Sequence, residues 1–374
     1  MSPTSWTHTA LAQRITFGPG ALRALPELVR TLGLRQVLLV TTEGRLASDD
    51  GTRVVSGIGR SLMTTFADVS AHVPTTALQA ALLLARRDGV DGIVSFGGGS
   101  CADLGKAVAY FTEQEAGTPG ASFIDRPQLP HIAIPTTYSG AELTPFFGMT
   151  DPHTRQKSGA GGPTSAPLAT IHDPELTRST PPRVSAETGM NALAHCVEAV
   201  WATNRTPEAT AIALAGARRV HATLPMVVGD PDDLDARTRM LEGSVLAGRC
   251  LLNASMGVHH GLAQLLGGRT GIPHGLANAV LLPHSIRFNA EAAPDAIALL
   301  GEALGLNDAD GPALAGAVEA LLDELELPTD LESCGVTEDD LDAVARLSQS
   351  NGSVRANPRP VSEDDARWLL ESAF

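Results

Sequence analysis

The chain has 374 residues, enough for two domains of ordinary size, each with its own core. Its formal net charge is −15 and its pI about 5.1. A surface that acidic disfavours nucleic acid and anionic membranes as partners, although one site can still be locally basic. Hydrophobic residues make up 43% of the chain, yet no run approaches the roughly 18 apolar residues of a membrane span.

Residues 1–13 show no charged segment followed by an apolar core, so no secretory signal is expected. Cys101, Cys196, Cys250 and Cys334 are scattered, without CxxC spacing. Buried free thiols in a reducing cytoplasm are the expectation, not a disulfide framework or a thiolate zinc site.

Strand and helix signals alternate through the first 150 residues. Residues 36–42 (QVLLVTT) read as a buried strand and 64–72 as a weaker one. Residues 78–87 have helical periodicity and stop at Asp88-Gly89. Residues 91–96 form a third strand, followed at once by Gly97-Gly98-Gly99-Ser100 and a helix through Lys106 and Val108. Residues 131–136 form a fourth. Short apolar strands separated by helices predict a parallel sheet with helices on its faces. The Gly-, Pro- and Ser-rich stretch 150–169 reads as a connection, placing a division between 1–165 and 166–374. Beyond it helices dominate, at 191–203, 237–266, 276–289, 295–304, 313–325, 337–347 and 362–372. Gly267-Gly268 is the expected stop of the long one. The expected fold is therefore an α/β, Rossmann-like N-terminal domain followed by an all-α C-terminal domain.

Two places carry chemistry. Gly97, Gly98, Gly99 and Ser100 lie between a strand and a helix, where glycines bring backbone N–H groups close to an anion and the helix start favours negative charge. The spacing is not GxGxxG, so an ordinary Rossmann dehydrogenase is disfavoured. Thr136 and Thr137 close the fourth strand, and Thr41 the first, at the strand ends where α/β sheets bind ligands. The second place is in the helical half. Asn191 and His195 share a helical face, and His259-His260, His274 and His284 follow in glycine-punctuated turns. Such a cluster suits proton transfer or metal ligation. The residue one turn before His195 is a neutral amide, so the pattern does not argue for a bound metal.

Several motifs together resemble the iron-containing alcohol dehydrogenase superfamily, and within it the maleylacetate reductases. They are 135–144 (PTTYSGAELT), 173–177 (DPELT), 189–195 (GMNALAH), His259-His260 and 357–360 (NPRP). The resemblance implies a dehydroquinate synthase-like fold and NADH or NADPH bound through Gly97–Ser100, with Thr136, Thr137, Thr144 and Thr41 near the cofactor. It implies His259, His260, His195 and His274 as catalytic residues. In the metal-dependent members, an Asp and three His hold the ion; those positions here are Asn191, His195, His260 and His274. Asn in the first place is similar to the maleylacetate reductases, which implies no catalytic metal. The implied reaction is hydride transfer to an unsaturated oxo-acid, taking maleylacetate or an analogue to a 3-oxoadipate-type product. Lys157, Arg269, Arg355 and Arg359 are candidate clamps for the substrate carboxylates. A small-molecule carboxylate partner, a homodimer and a cytoplasmic place follow from the same likeness. Some residues depart from the pattern. Gln264 stands where another His is usual, while Asp103 and the run 271–279 look more like the alcohol dehydrogenase branch. A metal-dependent alcohol or aldehyde dehydrogenase, and a non-redox biosynthetic enzyme on the same fold, therefore stand as alternatives.

Overall fold

The computed structural model describes residues 5–118, 127–154 and 156–374. Residues 1–4, part of the stretch read for a leader, lie outside them. The chain divides into two compact units, Leu11–Thr180 and the segment Pro181–Phe374 with Met1–Ala10.

The first unit is built on a six-stranded parallel sheet, in the order β1-β8-β5-β4-β2-β3. Its strands are β1 (Arg14–Phe17), β2 (Val37–Val40), β3 (Leu62–Phe66), β4 (Gly92–Gly97), β5 (His131–Pro135) and β8 (Ala169–His172). Strands β6 (Phe146–Asp151) and β7 (Gln156–Gly161) form a separate antiparallel hairpin. Helices α1 (Leu25–Thr31), α2 (Glu43–Leu46), α3 (Asp49–Ile58), α4 (Thr75–Arg87) and α5 (Gly99–Glu115) complete the unit. The central strands are buried on both faces, which is why they read as unbroken apolar runs. Alternation still sorts them. Val37, Leu39, Val94, Phe96, Ile132 and Ile134 pack with Leu25, Leu28, Val54 and Ile58 of α1 and α3. Leu38, Val40 and Ile93 pack with Leu78 and Leu82 of α4 and Leu104 and Val108 of α5.

Two expectations need correction here. The strand expected at 64–72 is β3, shorter and earlier, because His72 and Val73 turn to positive φ, 62° and 45°. The stretch 150–169 is not a bare connection. It holds the end of β6, all of β7 and the start of β8, and β8 fills the sheet between β1 and β5. A division at 165/166 would therefore cut this unit before its last strand.

The second unit is helical: α6 (Pro182–Trp201), α7 (Pro207–Gly229), α8 (Leu234–Cys250), α9 (Val258–Thr270), α10 (His274–Asn289), α11 (Pro294–Leu304), α12 (Gly311–Glu324), α13 (Glu338–Ser348), α14 (Gly352–Arg355) and α15 (Glu363–Ser372). Residues 189–201 of α6 are all buried, as expected of a helix apolar nearly all round. The helix expected over 237–266 is two, α8 and α9, with a break ending at Gly257. Gly267-Gly268 do not stop α9. It runs on to Thr270 and ends at Gly271, whose φ of 79° closes it. Helix α7, which the sequence reading missed, starts from a Thr206 hydroxyl that accepts the Ala209 amide, with Pro207 in its first turn. Among the described residues, no helix is long and apolar enough to cross a membrane.

Candidate active site

The glycine turn is tighter than its sequence suggests. Gly97 is the last residue of β4, Gly98 the N-cap of α5 and Gly99 already helical. Among the described residues no side chain caps this helix start, and the amides of Gly99 and Ser100 precede its first backbone bond, which Cys101 gives to the Gly98 carbonyl. Gly97 has φ 147°, and a Cβ there would sit 2.6 Å from Cys101 Sγ. A Cβ on Gly98 would meet Thr137 at 3.2 Å, and one on Gly99 would meet Ser139 Oγ at 2.9 Å. The hydroxyls of Thr136 and Thr137 are buried without a hydrogen-bond partner among the described residues. A backbone cradle with spare donors fits a dinucleotide phosphate. Thr144 is buried, with weak contacts of 3.4 and 3.5 Å to the carbonyls of Ala141 and Phe146. Thr41 is committed elsewhere: its hydroxyl donates to the Phe96 carbonyl at 2.8 Å, tying β2 to β4.

In the helical unit, α6 supplies Asn191, His195 and Glu198, α9 supplies His259 and His260, and α10 opens with His274. His195 stacks on His260 with ring centroids 4.6 Å apart, and His259 and His274 meet the His260 ring edgewise at 4.9 and 5.9 Å. The structure thus brings together all four predicted histidines. His284, on α10, makes none of these ring contacts and lies in the field of Arg287 and Glu319.

Glu198, which the sequence reading assigned no role, organises the cluster. Its Oε2 lies 2.6 Å from His260 Nδ1, and its Oε1 accepts the Gly257 amide at 2.9 Å. Burial pushes this carboxyl up, but the imidazoles of His259 and His260 outweigh it and hold the group well below the usual carboxylate range. An ionised carboxylate only accepts, so His260 Nδ1 carries a proton. His259 Nε2 donates to the Asn278 carbonyl at 2.9 Å, and its Nδ1 lies 3.2 Å from His260 Nδ1. His195 is pushed well below its ordinary value, by burial first and then by His260, and stays neutral. The available signal for Glu198 was its place one turn after His195.

Two sets of residues bear on metal ligation. Among the described residues, one group brings three donors mutually within 4.8 Å: Glu198, His259 and His260. Its facing atoms lie close to one another, Glu198 Oε2 at 2.6 Å and His259 Nδ1 at 3.2 Å from His260 Nδ1. The set that the motifs imply, Asn191, His195, His260 and His274, contains no carboxylate.

The four candidate carboxylate clamps fare unequally. Arg269 is bound to Asp340 at 2.6 Å, and Arg359 lies 3.9 Å over the Phe288 ring and reaches Asp365. Arg355 donates to the Ser350 carbonyl. Burial lowers the pKa of Lys157, against a smaller opposing pull from Asp103.

Comparison with known proteins gives the same picture. Residues 12–174 match the model of the iron-containing alcohol dehydrogenases, and residues 185–374 match that of the C-terminal part of the Fe-containing alcohol dehydrogenase family. Maleylacetate reductase from Rhizobium sp. (strain MTP-10005) is 35% identical over 99% of this chain and 97% of its own. The crystal structure of maleylacetate reductase from Agrobacterium tumefaciens superposes with a TM-score of 0.85 at 34% identity, covering 100% of this chain and 99% of that one. Sulfoacetaldehyde reductase from Bifidobacterium kashiwanohense, solved in complex with NAD+, gives 0.88 at 27% identity, covering 99% of each chain. The chain therefore belongs to the iron-containing alcohol dehydrogenase family, with its dehydroquinate synthase-like fold, and is an NAD(P)-dependent oxidoreductase.

Proposed function

We propose that this enzyme is a metal-independent NAD(P)H-dependent reductase of an unsaturated oxo-dicarboxylate, maleylacetate or a close analogue, giving a 3-oxoadipate-type product. The observation that carries the reading is the Glu198–His260 pair, a buried carboxylate holding the proton of one imidazole nitrogen. Relatives of similar length over nearly the whole chain are maleylacetate reductases, which supports the substrate class.

When bound, a reduced nicotinamide would supply the hydride that reduces the substrate C=C bond. That addition leaves an enolate charge on the substrate, which the protein must stabilise and protonate. His260 is suited to both tasks. With Nε2 also protonated, its positive charge is balanced by Glu198. Giving up the Nε2 proton leaves the neutral ring in the tautomer that Glu198 already holds. Neutral His195, stacked on it, adds no competing charge. His259 is held beside His260 by its bond to the Asn278 carbonyl. Gly97–Ser100 with Thr136 and Thr137 hold the cofactor phosphate, and Thr144 lies in the same unit.

The test is oxidation of NADH or NADPH with maleylacetate, on EDTA-treated protein and again with added Zn²⁺ or Fe²⁺. Turnover in EDTA, unchanged by metal, is the expected result. Turnover only with metal would return Asn191, His195, His260 and His274 to a ligand role and make the enzyme a metal-dependent dehydrogenase. Cofactor binding without turnover in either case would point to another substrate or to non-redox chemistry.

A further inference from the structure

The order of the strands locates the ligand crevice of the α/β unit. From β2 the chain crosses to β3 on one side, then returns to lay β4, β5 and β8 on the other. The direction of winding reverses between β2 and β4, and open α/β sheets bind ligands outside the carboxyl ends of the strands at such a reversal. The end of β4 is the glycine turn. The end of β2 leads through Thr41 and Thr42 into α2, which carries Arg45.

Arg45 reaches across this rim. Its guanidinium donates to Ser179 Oγ and to Thr180 Oγ1, the latter at 2.8 Å, and Thr180 Oγ1 in turn donates to the Thr136 carbonyl at 2.6 Å. Thr136 follows β5, and its amide bonds the Gly97 carbonyl at 2.9 Å. A chain of bonds thus links the helix after β2, through Thr180, to the end of β5 and from there to the glycine turn. Both of its acceptors are hydroxyls rather than carboxylates. Burial lowers its pKa, with Asp50 and the Cys101 thiol, in the first turn of α5, acting the other way.

Among the described residues this half-buried guanidinium is bonded to hydroxyls and to no carboxylate, so its charge is uncompensated and available to an anion. The turn beside it has the opposite deficit. Gly97–Ser100 contains no cation, and a helix start offers only about half a charge, against the two negative charges of a dinucleotide pyrophosphate. Thr136 and Thr137 add buried hydroxyls on the same rim.

We propose that Arg45 is the cation that pairs with the pyrophosphate of the nicotinamide dinucleotide. This rests on the reading of Gly97–Ser100 as the phosphate turn. The experiment is calorimetric titration of the full-length protein and of Arg45→Met and Arg45→Lys with ADP and with adenosine, alongside KM for NADH and NADPH. Loss of charge-assisted hydrogen bonds of about 1.5–3 kcal/mol should weaken ADP binding to Arg45→Met by about 10- to 100-fold. Adenosine binding should be unchanged, Arg45→Lys should fall between, and KM for both cofactors should rise together. Equal losses for ADP and adenosine would mean that Arg45 only holds the loop at 179–180, overturning the assignment. A loss confined to NADPH would move Arg45 to the 2′-phosphate and overturn it too. Wild type that binds neither ADP nor NAD(P)H would sink the phosphate turn itself, whereas unaltered ADP affinity in Arg45→Met sinks only Arg45. If Arg45→Met does not fold, Arg45→Gln carries the same comparison.

Discussion

Glu198 holds His260 from two sides at once: its carboxylate lies 2.6 Å from the imidazole Nδ1, and its other oxygen accepts the amide of Gly257 at the start of the helix bearing that histidine. One side chain therefore sets both where the ring stands and which nitrogen carries a proton. Glu198→Gln keeps the volume and one acceptor but removes the charge that balances an imidazolium. Turnover is expected to fall about 10- to 100-fold, the usual cost of losing a residue that orients a histidine. KM for the cofactor should change less than about two-fold, and far-UV circular dichroism should match wild type. Wild-type turnover in this variant would remove Glu198 from the mechanism.

The phosphate turn makes a sharper steric prediction. Gly97 has φ 147°, where an L side chain is strained, and its Cβ would press on Cys101 Sγ at 2.6 Å. Cys101 is buried and its thiol, pushed up to about 12 mainly by burial, has no reactive role to lose. Gly97→Ala should cost about 1–3 kcal/mol of stability and weaken NADH binding by more than about ten-fold. Denaturant unfolding and fluorescence titration measure the two separately. Normal cofactor affinity in a destabilised variant would mean that the turn is structural only.

Much of this was legible from local signals. The buried strands announce themselves as apolar runs, the glycine triplet by its place between strand and helix, and the histidines by their types and spacing. What stayed hidden was non-local. Strand β7 (QKSGAG) has no apolar pattern and is fixed by pairing with β6, so its segment reads as a linker. The break between α8 and α9 is stabilised by Glu198, Asn357 and the Gly257 and Val258 amides, contacts between residues 59 and 99 positions apart. The role of Arg45 depends on strand order, which periodicity does not give. Arg269 and Arg359 looked like free cations only because their partners, Asp340 and Asp365, lie in the folded chain.

Asn357 is the other half of that break. Its Oδ1 accepts the Val258 amide at 3.1 Å, and it exchanges two amide bonds with Asn289, at 3.1 and 2.8 Å. Removing it leaves a helix start and a buried amide without partners. Asn357→Ala should lose about 2–3 kcal/mol, seen as a lower midpoint in urea, and turnover should drop with it because α9 carries His259 and His260. Asn357→Asp, which keeps the acceptor for Val258, should recover part of both. A full-strength midpoint for the alanine variant would show that α9 needs no such anchor.

The buried carboxyl of Glu142 predicts a pH effect on stability. Both its oxygens lack hydrogen-bond partners among the described residues, and the nearest ring nitrogen, His172 Nδ1, is 3.8 Å away. Burial pushes it up to about 7, against smaller opposing pulls from its own amide and Lys106, with Asp103 adding to the rise. His172 is itself pushed down to about 3 by burial and stays neutral across the range of interest. Between the ordinary value near 4.5 and about 7 the folded protein keeps a proton that the unfolded chain has released. Stability is therefore complete below that window and falls as pH rises through it. At about 1.36 kcal/mol per unit the loss is on the order of 3 kcal/mol. Glu142→Gln, which cannot ionise, should gain that much on wild type between pH 4.5 and pH 7.5, measured by urea unfolding at each pH. Parallel pH profiles for the two proteins would show that Glu142 is solvated or paired in the native state.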